Sequence, residues 1–202
     1  MSLVQREIGG ISLGQPFTPA ALLHLGTRAN VDQVLSRLAR SGFIERLTRG
    51  VYVRPEFNRH IGRVRPEAIR IAKAAASSSN QVISITGAEA ARRFGLSTQM
   101  PVKPVFLTSG KSRFLKVGKT TIELQHAPTR CLALADRPSG EALVALWYLG
   151  KRLVTPQTIE QIKRGLPPEE FQVLKSASGV LPSWLSDVLY KYEQNSKTAL
   201  SA

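Results

Sequence analysis

Hydrophobic residues recur with a helical period over 28–41, and this is the clearest pattern in the chain. Four apolar residues fall at positions i, i+3, i+4 and i+7, on one face of a helix: Val31, Val34, Leu35 and Leu38. Thr27 stands where an N-cap hydroxyl is expected, and Gly42 stands where helices commonly end. The pattern predicts an amphipathic helix with one buried stripe and an exposed polar face.

The segments on either side of this helix predict a winged helix-turn-helix. Before it, 18–26 has a threonine N-cap, a proline at the first helical position, an apolar body and a final glycine, which predicts a short helix. After it, the apolar residues of 43–53 flank Thr48, Arg49 and Gly50, which predicts a two-stranded hairpin with a tight turn. Two helices joined by a turn and followed by a hairpin match a DNA-binding arrangement.

The rest of the chain predicts a second domain of mixed helices and strands. Segment 54–66 is basic, bounded by prolines and without a period, so we expect a linker or an arm there. Later helices are expected to begin near Pro66, Thr86, Ser139 and Thr155. The predicted fold class is α+β, with a winged helix-turn-helix over 1–60, an α+β domain over 61–195 and a frayed tail over 196–202.

The net charge of the chain indicates a class of binding partner. The chain has 28 Lys and Arg residues against 14 Asp and Glu residues, a net charge of +14. A field of this size attracts polyanions and indicates nucleic acid, although a basic surface that binds nothing is the simpler alternative.

The single cysteine, Cys131, excludes an internal disulfide, and no apolar run approaches the roughly 20 residues of a membrane helix. The N-terminus lacks the apolar stretch of a signal peptide, so we expect a cytoplasmic protein with no membrane partner.

The polar face of the helix over 28–41 supplies the candidate DNA contacts. With the hairpin tip included, the candidate set is Arg28, Asn30, Gln33, Ser36, Arg37, Arg40, Thr48 and Arg49. Gln33, Arg37 and Arg40 are expected to contact bases, because glutamine and arginine can pair with base edges. Arg28, Thr48 and Arg49 are expected to contact the backbone. Arg28 lies at the positive end of the helix dipole, so a phosphate is expected to balance it.

These residues resemble the N-terminal winged helix of the AbiEi family of antitoxins, including its short members described as a domain of unknown function. The resemblance lies in TRANVDQVLSRLARSGFIERLTRGVYVRP (27–55). It continues in TGAEAARRFGLSTQMPVKPVFLTSG (86–110) and the hairpin that follows, so it covers most of the chain.

The resemblance implies a cytoplasmic antitoxin of a type IV toxin-antitoxin system that represses its own operon. The winged helix would bind double-stranded operator DNA, with inverted repeats expected there, and the C-terminal domain would be needed for antitoxicity. The implied partner is a nucleotidyltransferase-like toxin. Two alternatives stay open: an RNA-binding module, and a protein-interaction module whose DNA binding is incidental.

A second basic stretch, free of acids, runs through 90–122. Its candidate surface residues are Arg92, Arg93, Lys111, Arg113, Lys116 and Lys119. They can hold an anionic ligand or serve solubility alone. We predict no catalytic residue, metal or cofactor, because the GKS and GKT triplets at 110–112 and 118–120 lack the earlier glycine of a phosphate-binding loop. The acid-free stretch also offers Glu123 no partner carboxylates for a metal, so we expect no enzyme.

Overall fold

The computed structural model describes the backbone of residues 2–100, 102–177 and 179–200, and their side chains as far as residue 195. The fold is mixed α+β, as predicted. It divides into two compact units, Met1–Val82 with Ser112–Leu124, and Ile83–Lys111 with Gln125–Ala202. Among the helices of the described residues, none combines the length and apolar character that a membrane span requires.

The first unit contains short helices, a small sheet and two hairpins. In chain order its elements are α1 (Leu3–Gly10), β1 (Pro16–Phe17), a 3₁₀ helix (Pro19–Leu25), α2 (Arg28–Arg40), β2 (Glu45–Thr48), β3 (Val51–Val53), β4 (Glu56–Asn58), β5 (Gly62–Val64), α3 (Ala68–Ser77), β8 (Arg113–Val117) and β9 (Thr120–His126), whose last two residues belong to the second unit. An antiparallel sheet has the order β1-β3-β2, and β4–β5 and β8–β9 are antiparallel hairpins.

The apolar stripe of α2 is buried, as its period predicts. Val31, Leu35 and Leu38 lie in the core, while Val34 is half-buried at its edge. Thr27 caps the helix, because its Oγ1 accepts a hydrogen bond from the backbone N of Asn30 at 3.4 Å. Full burial of a leucine stabilises by about 1.5–3 kcal/mol, so this stripe fixes how α2 is turned and leaves its polar face outside.

The helix predicted over 18–26 is a 3₁₀ helix, Pro19–Leu25, and Thr18 makes no side-chain cap. Thr18 is itself buried. Leu22 anchors the segment in the core. A segment this short can form few α-helical hydrogen bonds, and 3₁₀ geometry is common in connectors of this length.

Segment 54–66 contains a hairpin, β4–β5, where the sequence predicts an irregular linker. The side chain of Asn58 organises its turn, since Oδ1 accepts hydrogen bonds from the backbone N of His60 at 2.8 Å and of Ile61 at 3.3 Å. Gly62 follows with a φ of 74°. Asparagine and glycine are characteristic turn residues, so the sequence does contain a turn signal. The two strands are only three residues long, which is too short to show a period.

The predicted domain boundary at residue 60 falls inside the first unit. Helix α3 buries Ile71, Ala72 and Ala76 and packs on β1 and β3. It begins at Ala68, with Glu67 in the N-cap position, so Pro66 precedes the helix and does not open it. The distant β8–β9 hairpin also belongs to this unit and lies against β2.

The second unit is mainly helical. In chain order it contains β6 (Ile83–Ile85), α4 (Gly87–Arg93), β7 (Val105–Thr108), a 3₁₀ helix (Thr129–Leu132), α5 (Pro138–Leu153), α6 (Pro156–Gly165), α7 (Pro168–Ser176) and α8 (Ser183–Leu200). β6 and β7 pair antiparallel, and α5 to α8 enclose a core that includes Leu146, Ile159 and Leu185. α8 continues to Leu200, through most of the predicted tail, whose last two residues lie outside the described residues.

The N-caps predicted for this unit agree with the structure at two positions and differ at a third. Thr86 caps α4, and Thr155 caps α6 through a reciprocal box with Thr158. Ser139 does not cap α5, which begins at Pro138. The backbone N and Oγ of Ser139 both donate to Glu170 Oε2, at 3.1 and 2.6 Å, so a carboxylate from α7 serves the start of α5. Gly150 interrupts α5 with a φ of 68°, at the residue where the sequence predicts its end.

Candidate nucleic-acid interface

The exposed side of α2 carries four polar residues, which we call the α2 face: Gln33, Ser36, Arg37 and Arg40. All four are exposed because they lie opposite the buried stripe. Arg37 and Arg40 fall in the last turn, where the helix dipole favours a cation. Neither arginine makes an ion pair with any residue that the structure describes. The α2 face therefore presents two cations, an amide and a hydroxyl to solvent.

Arg28 has a protein partner, which the sequence analysis did not anticipate. Its Nε lies 2.8 Å from Asp32 Oδ2, four residues further along α2. Asp32 supplies the negative charge that was expected from a phosphate. The pair is exposed, and exposed pairs are weak, so Arg28 can still exchange this partner for another anion. Asn30 is exposed in the first turn, where its backbone N serves the Thr27 cap.

The turn between β2 and β3 consists of Arg49 and Gly50. Gly50 has a φ of 75°, a conformation that residues with a Cβ rarely adopt. Arg49 is exposed at the tip, whereas Thr48 is half-buried and pairs with Val51 at the end of β2. Of the two predicted tip residues, Arg49 is therefore the one that can reach furthest toward a ligand.

A concave surface within the first unit gathers arginines from distant parts of the chain, and we call it the arginine groove. It has a volume of about 690 Å³ and is lined by Pro19, Arg28, Asp32, Ser36, Arg46, Thr48, Arg49, Gly50, Tyr52, Ala75, Ser78, Ser79, Arg113, Phe114 and Leu115. Four lining residues are arginines and one is an acid. Such a set favours an anionic ligand, because arginine binds phosphate oxygens through charge-assisted hydrogen bonds.

The arginine groove brings together half of the predicted DNA-binding residues. Arg28, Ser36, Thr48 and Arg49 line it, whereas Asn30, Gln33, Arg37 and Arg40 do not. Ser36 alone belongs to both the groove and the α2 face. The predicted residues other than Asn30 therefore form two adjoining surfaces, the α2 face and the arginine groove.

Among the groove residues that sequence reasoning missed, Arg46 and Phe114 have side chains suited to binding nucleic acid. Arg46 precedes buried Leu47 on β2, and this alternation could have identified an outward-facing position. Phe114 is 70% exposed on β8 and lies more than sixty residues along the chain from α2 and the β2–β3 turn. No local pattern connects it to them.

The predicted second basic surface is divided between the two units. Arg113 lines the arginine groove, and its Nη2 donates to Ala75 O at 3.4 Å. Lys116 and Lys119 are exposed on the same hairpin. Arg92, Arg93 and Lys111 belong to the second unit. The acid-free run in the sequence is thus shared between the two units.

Arg92 and Arg93 have structural partners although 90–122 contains no acid. Arg92 binds Glu89 with two hydrogen bonds of 2.8 Å, and Arg93 bridges Glu89 at 3.0 Å and Glu141 at 2.9 Å. The hydrogen bond from Arg92, supported by Arg93, holds the pKa of Glu89 at about 2, although partial burial opposes this. The Arg93 guanidinium therefore links α4 to α5, whereas Arg92 is held within α4.

The described residues contain no cluster of three or more His, Cys, Asp or Glu side chains that could hold a metal ion. Cys131 is buried, and burial raises the pKa of its thiol. The polar groups that line the arginine groove are four guanidinium groups, several hydroxyl groups and the Asp32 carboxylate.

Comparison with known families assigns the chain to one of them. Residues 4–174 match the model of a family of unknown function, DUF6088. The protein belongs to this family. Comparisons with curated proteins and with solved structures found no match.

Proposed function

We propose that this member of the family is a sequence-specific DNA-binding repressor whose first unit contacts double-stranded DNA as a winged helix. The α2 face carries the proposal, because Arg37 and Arg40 are exposed without an ion pair beside Gln33 and Ser36. Arginine and glutamine read base edges in the major groove through bidentate hydrogen bonds. The buried stripe fixes the rotation of α2, so the helix can present these side chains to DNA in one orientation.

The arginine groove and the β2–β3 turn supply the phosphate contacts in this proposal. Arg49 at the turn and Arg46 and Arg113 in the groove are placed beside α2, on elements other than the helix itself. Contacts to phosphate set the position of a reading helix on the duplex without carrying sequence information. The first unit has fifteen Lys and Arg residues against six Asp and Glu residues, a net +9 of the chain's +14.

The biological role that we propose is an antitoxin in the cytoplasm, acting by binding and without catalysis. It would repress its own operon at inverted repeats and counteract a nucleotidyltransferase-like toxin. The resemblance of 27–55 and 86–110 to AbiEi antitoxins supports this role. Co-expression with a toxin encoded beside it tests the role: growth should be restored by this chain, and continued growth arrest would contradict it.

Binding to the DNA upstream of its own gene, compared with scrambled DNA over a salt series, tests the DNA proposal. Specific sites are bound roughly 10³-fold or more tightly than non-specific DNA, and we expect a preference of this order at physiological salt. Equal affinity for both DNAs, falling steeply with salt, would show that only the net charge of the chain contributes. That result would contradict the proposal.

One observation favours RNA as a second candidate. Phe114 is 70% exposed beside Arg46 and Arg113, and an exposed ring next to arginines can stack on an unpaired base. Competition with structured RNA distinguishes the two candidates. If RNA displaces upstream DNA at equal concentration, and Phe114→Ala weakens RNA binding while duplex binding is unchanged, RNA is the better ligand.

A further inference from the structure

The second unit contains an apolar cavity of about 560 Å³ that has no part in the DNA proposal. It is lined by Thr86, Gly87, Ala88, Gln99, Met100, Val105, Leu107, Gln125, Ala127, Cys131, Val144, Trp147 and Tyr148. All of these residues lie within the second unit. The volume is in the range of sites that take small molecules, roughly 300–1,000 Å³.

The lining of this cavity contains no charged residue, although 21% of the chain is charged. The arginine groove, of similar volume, is lined by four arginines and an aspartate. An ion that entered the apolar cavity would lose its hydration and gain no opposite charge from the lining. The cavity therefore selects against charged molecules.

Aromatic and sulfur-containing side chains define the shape of the cavity wall. Trp147 and Tyr148 are adjacent on α5, and Met100 and Cys131 contribute sulfur atoms. Aromatic rings pack favourably against other rings and against sulfur. Leu107 on β7 adds a branched aliphatic group to the lining.

Tyr148 is held in place at the cavity. Its hydroxyl donates to Gln99 Oε1 at 3.1 Å. Gly87 lies so close that a Cβ there would be 2.2 Å from the Cβ of Tyr148, so only glycine permits this approach of α4 to α5. The ring is positioned by the fold before any ligand arrives, which lowers the cost of binding.

We propose that this cavity binds a small, uncharged aromatic molecule. The inference goes beyond DNA binding and uses none of the residues of the first unit. The uncharged lining does not suit a phosphate or a nucleotide, so the ligand is chemically distinct from that of the arginine groove.

The first test is a fluorescence titration of the full chain with N-phenyl-1-naphthylamine, an uncharged probe that brightens in apolar sites. We expect a dissociation constant of about 10 μM or below. Leu107→Trp places a larger side chain in the cavity and should weaken binding at least about tenfold. Leu153→Trp adds the same side chain at an exposed position outside the cavity and should leave the titration unchanged.

A second readout uses the single cysteine of the unaltered chain, so it does not depend on the folding of a variant. Saturating N-phenyl-1-naphthylamine should slow alkylation of Cys131 by N-ethylmaleimide at least about fivefold, because both occupy one cavity. The matched anionic probe, 8-anilino-1-naphthalenesulfonate, has the same rings with a sulfonate and should change the rate by less than about twofold.

Three results would overturn the inference. They are an absence of saturable probe binding, a titration that Leu107→Trp leaves unchanged in a folded protein, and alkylation of Cys131 at the same rate with and without the neutral probe. Protection by both probes alike would overturn the part of the inference that concerns charge.

Discussion

Four arginines on α2 and the β2–β3 hairpin differ from four arginines of the second unit in the carboxylates around them. In the first unit, the described residues offer no ion-pair partner to Arg37, Arg40, Arg46 and Arg49. In the second unit, four arginines each donate to a glutamate: Arg92, Arg93, Arg137 and Arg164. The second unit has thirteen Lys and Arg residues against eight Asp and Glu residues, a net +5, compared with +9 in the first.

This difference shows that one residue type can serve two purposes, depending on its neighbours. A guanidinium bound to a glutamate is held within the fold, and a guanidinium without a carboxylate partner is available to an external anion. The number of basic residues in a segment does not distinguish these cases. The predictions below test the comparison, beginning with the largest expected effect.

Removing Glu170 should have the largest effect, because this carboxylate joins α7 to the start of α5. It accepts hydrogen bonds from Arg137 at 2.7 Å and from the backbone N of Ser139 at 3.1 Å. Glu170→Ala would leave these donors without their partner, and we expect the thermal midpoint to fall by about 5 °C or more. The matched control, Glu169→Ala, removes an exposed carboxylate from the same helix and should shift the midpoint by about 1 °C or less. Equal shifts for both variants would contradict this role.

Acid should destabilise the second unit through the same carboxylates. Hydrogen bonds from Arg137, and then from Ser139, hold the pKa of Glu170 at about 2, and those from Arg92 and Arg93 do the same for Glu89. A carboxyl with a lower pKa in the folded state stabilises above its unfolded value of 4.5, and this contribution is lost as pH falls from 4.5 toward 2. Thermal unfolding followed from about pH 6 to about pH 3 should show a falling midpoint, and the slope should be shallower in Glu89→Gln.

Arg37→Ala should weaken binding to the upstream DNA by about 1–3 kcal/mol, roughly 5- to 150-fold, if this side chain reads a base. The loss should be smaller on scrambled DNA, because non-specific binding depends on charge alone. Arg152→Ala removes an exposed arginine from the second unit and serves as the control. An affinity that Arg37→Ala leaves unchanged would exclude base contact by this residue.

Arg49→Ala should weaken binding to the upstream DNA and to scrambled DNA by similar factors, because the tip of the β2–β3 hairpin is expected to contact phosphate. The salt dependence should decrease by about 0.9 in the slope of log K against log salt for each lost phosphate contact. A loss confined to the upstream sequence would instead assign a base contact to Arg49.

The smallest effect is expected from Arg92→Ala. The sequence places Arg92 on a second basic surface, but in the fold it is bound to Glu89 through both of its hydrogen bonds. DNA affinity should change by less than about twofold, within the range of an ordinary surface substitution. A change in the salt slope as large as that of Arg49→Ala would mean that Arg92 leaves Glu89 to bind DNA.

Patterns that depend on neighbours in the chain were sufficient to predict α2. Its stripe of Val31, Leu35 and Leu38, its Thr27 cap and its exposed arginines all follow from a period of 3.6 residues and from hydrogen bonds over three or four positions. The caps at Thr86 and Thr155 follow for the same reason. These features are local, so the linear order of residues contains them.

Features that join distant segments were decided by tertiary structure. Glu170 replaces Ser139 in serving the start of α5 from 31 residues away, and Phe114 and Arg113 reach the groove beside α2 through the β8–β9 hairpin. The basic run through 90–122 is divided between the two units, and in the second unit Arg92 and Arg93 are bound by glutamates. Packing determines which side chains come within hydrogen-bonding distance, and no periodicity along the chain encodes that proximity.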